Sequence, residues 1–219
     1  MNIQKTVTVF LVDDHAVVRE GYKHLLRKAN IEVIGEACNG EEAYQEFDKY
    51  QAQVIVIDLS MPGLSGIETI KKILGKDKHA KILAFSMHED AIFCVRTIQA
   101  GACGYVTKSS APDVLVNAVL ATMAGKKYIS PDIAHKISSL HTQPEADTDG
   151  HELLKSLTTR EFEVFQYLTR GKSLDETALA LHLDYKTIAN VQTRLRQKLK
   201  VENNAQLVLA AVKLNIVPV

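Results

Sequence analysis

The sequence predicts an α/β domain, a doubly wound five-stranded parallel sheet, followed by a second, all-α domain of four helices. Three observations predict it. Short apolar runs alternate with amphipathic helical segments over residues 7–123, the pattern of repeated βα units. The alternation then stops, and residues 139–151 mix Pro144, Gly150, threonines and aspartates without periodicity, as a linker does. From Thr159 onward every periodic segment has helical spacing.

Taken in order, Val7–Val12 is a continuous apolar run and reads as a strand buried on both faces. Ala16–Lys28 follows as a helix with Val17, Val18, Tyr22, Leu25 and Leu26 as its buried stripe. Residues 31–36 form a second strand, 40–50 a short helix, and Val54–Ile57 a third strand. Met61-Pro62-Gly63-Leu64-Ser65-Gly66 signals a turn ahead of a helix over 68–74. Residues 81–85 and 104–106 supply the last two strands, and 90–99 and 111–123 the last two helices. In the C-terminal part, helices are predicted over 159–168, 174–181, 185–199 and 204–213. Domain boundaries follow: 1–128 for the α/β domain, 129–152 for its end and the linker, 153–219 for the helical domain.

The chain of 219 residues is neutral, with 26 basic and 26 acidic groups. Residues 1–150 carry 16 basic and 19 acidic groups, residues 151–219 carry 10 and 7. That split fits an acidic domain joined to one that meets a polyanion. Cys38, Cys94 and Cys103 have neither metal-ligand spacing nor an even count, which argues against a disulfide framework and for reduced thiols. No signal-length apolar segment precedes Asp13 and no run approaches 18 apolar residues, so a cytoplasmic protein without a membrane partner is expected. Of the eight histidines, His15 alone is read as lying near the chemistry described next.

Asp13 and Asp14 end the first strand and Asp58 ends the third. In an open α/β sheet the carboxyl ends of the strands form the ligand crevice. Three carboxylates there need a cation or a wet polar pocket, and an all-oxygen cluster suits Mg²⁺. Phosphoryl transfer onto one of them, Asp58, is the chemistry this implies. Ser86 stands just past the fourth strand, where its hydroxyl can meet a phosphoryl oxygen. Lys108 follows the fifth, where its ammonium can pair with the same group. Taken singly, Ser86 is also an ordinary turn residue and Lys108 an exposed charge.

These residues carry a resemblance. Leu-Val-Asp13-Asp14-His, Asp58-Leu-Ser-Met-Pro62-Gly, Ser86 and Ala100-Gly101-Ala-Cys-Gly104-Tyr105-Val-Thr-Lys108 resemble the flavodoxin-like receiver domain of bacterial two-component response regulators. The resemblance implies that Asp58 is phosphorylated and that Asp13, Asp14 and Asp58, with the Ser60 carbonyl, hold Mg²⁺. It makes Ser86 the switch hydroxyl, Lys108 the phosphate-contacting lysine and Tyr105 the aromatic that turns inward on activation. Read without the resemblance, Tyr105 is an edge aromatic packed on the fourth helix. The pocket is then no enzyme site for outside substrates. It catalyses its own phosphorylation and acyl-phosphate hydrolysis, with a sensor histidine kinase or phosphotransfer protein as donor. Ser109 stands after Lys108 where many receivers have proline.

In the C-terminal part, residues 174–181, a tight turn and 185–199 read as a helix-turn-helix. Ala178 and Leu179 are expected to pack inward, and Asp184 to cap the second helix. Ile188, Val191, Leu195 and Leu199 form its core stripe. The opposite face offers Lys186, Asn190, Arg194 and Gln197, with Thr187 and Thr193 at its margins, while Arg194, Arg196, Lys198 and Lys200 place charge for phosphates. A helical bundle with a solvated polar face is the alternative. Leu157-Thr158-Thr-Arg160-Glu161, Gly171, Lys186-Thr187-Ile188 and Leu199-Lys-Val201 resemble the LuxR-type DNA-binding domain. With the receiver in front, and Tyr128-Ile-Ser-Pro131-Asp-Ile-Ala134 between, the chain is similar to the NarL/FixJ class, nearest the GacA/UvrY group. That implies a phosphorylation-dependent transcriptional regulator that binds double-stranded DNA as a homodimer. It also implies a dimer role for the last helix with Leu207, Val208 and Ala211, whose other reading is core closure. Ala189 and Thr193 stand where the class is often basic. The alternative function is a regulator acting mainly through protein contacts.

Overall fold

The computed structural model describes residues 6–141 and 156–213, which fall into two compact units divided after His141. The first is built on a parallel sheet of β1 Val7–Val12, β2 Ile31–Ala37, β3 Val54–Ile57, β4 Ile82–Ser86, β5 Gly104–Thr107 and β6 Tyr128–Ile129, in the order β2-β1-β3-β4-β5-β6. Helices α1 Ala16–Lys28, α2 Gly40–Tyr50, α3 Gly66–Lys76, α4 Ala91–Gln99 and α5 Pro112–Met123 cross between the strands, and α6 Pro131–His141 follows β6. The five expected strands are present. The sixth is a correction: two residues pair Tyr128 and Ile129 with Gly104 and Tyr105, too short a run to show periodicity. Helix α6 continues through His141, so residues 139–141 of the expected linker are helical, and the rest of that linker lies outside the described residues.

Every residue of β3, β4 and β5 is buried. One face carries Val9, Leu11, Val56, Phe85 and Val106 under Leu26 of α1 and Leu115 and Ala118 of α5. On the other side α2, α3 and α4 bury Phe47, Ile70 and Phe93. Each of these large apolar side chains contributes about 1.5–3 kcal/mol by leaving water. Val17 departs from the expected stripe: it is 87 % exposed. The buried and half-buried apolar positions of α1 are Val18, Tyr22, Leu25 and Leu26, and Val17 lies about 100° round the helix from Val18.

Among the described residues the second unit carries the helices α7 Thr159–Thr169, α8 Leu174–Ala180, α9 Tyr185–Leu199 and α10 Asn204–Lys213. Capping boxes start α7 at Thr158 and α8 at Ser173, and Asp184 accepts the Thr187 N–H at 2.8 Å to start α9. Ile188, Val191, Leu195 and Leu199 are buried as expected. Leu179 is not. It is 80 % exposed, because Thr177, Ala178 and Leu181 take the inward stripe of the short α8.

Candidate functional site

Strand register assembles the first site. Val12 pairs with Ile57, and the ladder continues one residue further as Asp58 N–H donates to the Val12 carbonyl at 2.8 Å. Asp13 and Asp58 therefore emerge side by side. Ser86 pairs with Thr107, and Lys108 N–H donates to the Ser86 carbonyl at 2.8 Å, which delivers Lys108 to the same end of the sheet. Tight packing holds the loop beyond Asp58. A Cβ on Gly66 would stand 2.4 Å from the Asp58 carbonyl oxygen, so no side chain fits there. Glu41 of α2 accepts the Leu64 N–H at 3.0 Å across from that loop.

Lys108 Nζ donates to Asp13 Oδ2 and to Asp58 Oδ2, each at 2.6 Å. The three side chains are 7 %, 2 % and 3 % exposed, so this is a buried triad. Ser60 N–H donates to the other Asp58 oxygen at 3.0 Å. His15 N–H donates to Asp13 Oδ1 at 2.8 Å, and its Nδ1 lies 2.8 Å from Asp14 Oδ1. Ligand atoms of Asp13, Asp14, His15 and Asp58 all lie within 4.8 Å of one another.

Three carboxyl groups converge on one ammonium, so acidic groups outnumber the lysine in this pocket. Burial pushes the Asp58 carboxyl above its ordinary pKa, and Lys108 and the Ser60 N–H offset this only in part. Burial works to lower the Lys108 ammonium, but Asp58 and Asp13 outweigh it and hold it above the usual lysine value. A pocket of this charge, with oxygen donors converging, fits a divalent hard cation.

The structure brings Asp13, Asp14, Asp58, Ser60 and Lys108 together. Ser86 is fully buried at the end of β4, and its hydroxyl accepts the His88 N–H at 3.1 Å. The edge-aromatic reading of Tyr105 is corrected. β6 lies outside β5, and Tyr105 is fully buried, its hydroxyl donating to the His88 carbonyl at 2.7 Å. Sequence reasoning missed His88, whose Nε2 lies 2.9 Å from Ser60 Oγ; the expectation that His15 alone is near the chemistry is therefore also corrected. Its contact with Ser60 spans 28 residues, and no local pattern marks it.

On α9, Lys186, Asn190, Thr193, Arg194, Gln197 and Lys198 are exposed and Thr187 is half-buried. Several have partners inside the unit. The Thr187 hydroxyl donates to Asp184 Oδ2 at 2.7 Å, and the Thr193 hydroxyl to the Ala189 carbonyl at 3.0 Å. Lys198 Nζ donates to Glu161 Oε2 at 2.7 Å and to the Ser156 carbonyl at 3.1 Å, while Arg196 donates to Asn204 Oδ1 at 3.0 Å. Lys186, Arg194 and Lys200 are the other exposed cations of this helix and its cap. In α10, Leu207 and Ala211 are fully buried, Val208 is half-buried and Leu209 is 60 % exposed.

Comparison with known proteins matches both units. Residues 9–120 match the family described as response regulator receiver domain, and residues 155–211 match bacterial regulatory proteins, luxR family. Response regulator UvrY of Escherichia coli K12 is 32 % identical over 208 residues, covering 94 % of each chain. Transcriptional activator protein ExaE of Pseudomonas putida is 35 % identical over 207 residues, covering 94 % of this chain and 95 % of its own. Among solved structures, RcsB of Salmonella enterica serovar Typhimurium, bound to promoter rprA with the phosphomimetic BeF3-, superposes with a TM-score of 0.61. It is 25 % identical and covers 94 % of this chain and 98 % of its own. Among the described residues no helix is long and apolar enough to cross a membrane. The chain belongs to the response regulators, and joins a receiver domain to a LuxR-type DNA-binding domain.

Proposed function

We propose that the protein is a phosphorylation-controlled transcriptional regulator whose receiver accepts a phosphoryl group on Asp58 from a sensor histidine kinase or phosphotransfer protein. The observation that carries this is the buried contact of Lys108 with Asp13 and Asp58, from residues 95 and 50 positions away in sequence. Asp13, Asp14, Asp58 and the Ser60 carbonyl are the groups to hold Mg²⁺. Bound there, the cation neutralises charge on the transferring phosphoryl oxygens and on the carboxylates around them.

The step forms a bond between an Asp58 carboxylate oxygen and phosphorus as the phosphorus–nitrogen bond of the donor phosphohistidine breaks. The imidazole leaves with the electron pair and takes a proton. Lys108 is placed to follow the added negative charge. The Ser86 oxygen already accepts from His88, and its own hydroxyl meets that of Tyr105, from which its hydrogen can turn to a phosphoryl oxygen. These shifts act on Tyr105 through His88 and bias a two-state receiver. The pocket's chemistry is confined to Asp58, which gains and loses its own phosphoryl group. Lys186, Asn190, Arg194 and Gln197 present the exposed face of α9 to a major groove, with Thr187, Thr193 and Lys198 beside it. A homodimer on paired half-sites and a cytoplasmic setting go with this reading.

The test is selection from a pool of promoter fragments by the full-length protein, with and without an acyl-phosphate donor and Mg²⁺, beside Asp58→Ala. Selective binding that rises with the donor and is lost in Asp58→Ala is expected. Binding indifferent to Asp58 would overturn the switch, and no selective binding in any state would favour action through protein contacts.

A further inference from the structure

His88 sits where three parts of the receiver meet. Its imidazole Nε2 lies 2.9 Å from Ser60 Oγ, in the loop after β3. Its N–H donates to Ser86 Oγ at 3.1 Å, and its carbonyl accepts the Tyr105 hydroxyl at 2.7 Å. Its ring stacks on Phe93 of α4, with centroids 4.0 Å apart and planes 14° from parallel. The residue is 9 % exposed, and Phe93 and Tyr105 are fully buried. A histidine held by backbone and ring in this way has little freedom left. It presents its outer nitrogen to Ser60 in one orientation.

Ser60 has two duties at the pocket. Its N–H meets Asp58 Oδ1, and its carbonyl belongs to the proposed cation set. The two peptide planes that flank a residue two positions beyond the acceptor are free to rotate unless something fixes them. Here the side chain of the same residue is tied to a rigid partner across the loop. We infer that His88 is a positioning residue for phosphoryl transfer: through Ser60 Oγ it fixes the Ser60 backbone, whose N–H orients Asp58 and whose carbonyl completes the cation site. The inference rests on the reading of Asp58 as acceptor. It adds a residue that the strand-end pattern does not pick out. The arrangement separates the two roles of the histidine. Its ring stacking supports α4, and its Nε2 supports Ser60.

The experiment measures the phosphorylation rate of full-length protein by a small acyl-phosphate donor across a Mg²⁺ series. Its variants are Ser60→Ala, His88→Phe, the double variant and His88→Gln, with thermal unfolding of each. His88→Phe keeps a ring on Phe93 and removes the nitrogen. Ser60→Ala removes the other partner without touching the stack. Each is expected to slow phosphorylation about fivefold at sub-saturating Mg²⁺, the loss of one hydrogen bond of ordinary strength. The loss narrows at saturating Mg²⁺, the double variant is no slower than the slower single, and His88→Gln recovers part of the rate. Additive losses, losses equal at every Mg²⁺ concentration, or wild-type rates in Ser60→Ala would overturn the inference. A wild-type protein that takes up no phosphate would instead sink the reading of Asp58 itself.

Discussion

The receiver pocket and the exposed face of α9 solve opposite problems. The pocket gathers Asp13, Asp58 and Lys108 from the ends of three strands, buries them and ties both carboxylates to the one ammonium. The α9 face presents Lys186, Asn190, Arg194 and Gln197 from one helix, all exposed. In the pocket, each group's protonation and position depend on its neighbours, so removing one disturbs all. On α9, exposed groups in high dielectric act nearly alone. Coupling therefore belongs to the part that has to switch, and independence to the part that has to read a long surface.

Four outcomes break or sharpen that contrast. The largest is expected at Asp58. In Asp58→Asn, phosphate incorporation from an acyl-phosphate donor falls to background by phosphoprotein gel or intact mass. Incorporation at another aspartate would break the assignment. Next comes Lys108→Met, which leaves two buried carboxylates without their cation and costs the receiver about 3 kcal/mol in Mg²⁺-free urea unfolding at neutral pH. Added Mg²⁺ recovers part of that cost. A neutral effect would mean that the triad is looser than its geometry.

The third outcome separates two exposed cations on α9. Arg194→Ala should reduce the salt dependence of duplex binding by about one unit of slope in log–log form, measured by anisotropy against NaCl. Lys198→Met should change that slope less, because Glu161 already holds its ammonium, and should cost the helical unit about 1 kcal/mol, seen in amide exchange of α7. The pH dependence follows from Glu161. Burial works to raise its pKa, but Lys198 and the Thr158 N–H outweigh it and hold it below the usual value. A carboxyl lowered in this way contributes fully above its unfolded pKa of about 4.3 and loses the contribution as pH falls through the folded value. The Lys198→Met defect should therefore shrink as pH falls below about 4. The smallest effect is expected for Leu179→Ser, within about 0.5 kcal/mol, because the side chain is already in water.

The strand-end carboxylates were legible because continuous apolar runs mark buried parallel strands, and the residue after such a run has one place to go. The core stripe of α9 was legible for a similar reason, since fifteen residues give the helical period room to show. What sequence reasoning missed lay in shorter or less periodic pieces. β6 has two residues. Leu179 sits in a helix of seven, where an apolar residue beside the stripe looks like part of it. Tyr105 was misjudged because β6, the strand outside it, was not foreseen. His88 and the internal partners of Lys198 and Arg196 depend on side-chain contacts across 28, 37 and 8 residues, which no local pattern encodes.

The short strand β6 has a practical consequence for anyone who would graft this receiver onto another output domain. Cut after Lys127, the sheet would end at β5, and the groups that pair with Tyr128 and Ile129 would lie open to any passing strand. The same cut would discard Asp132, which accepts hydroxyl hydrogen bonds from Thr107 and Ser110 on either side of Lys108, and Lys136, which donates to the Glu89 carbonyl. A module carried through His141 keeps its seam closed and the loop around its lysine anchored. One trimmed at the last long strand becomes a sticky fragment with a loosened loop around Lys108.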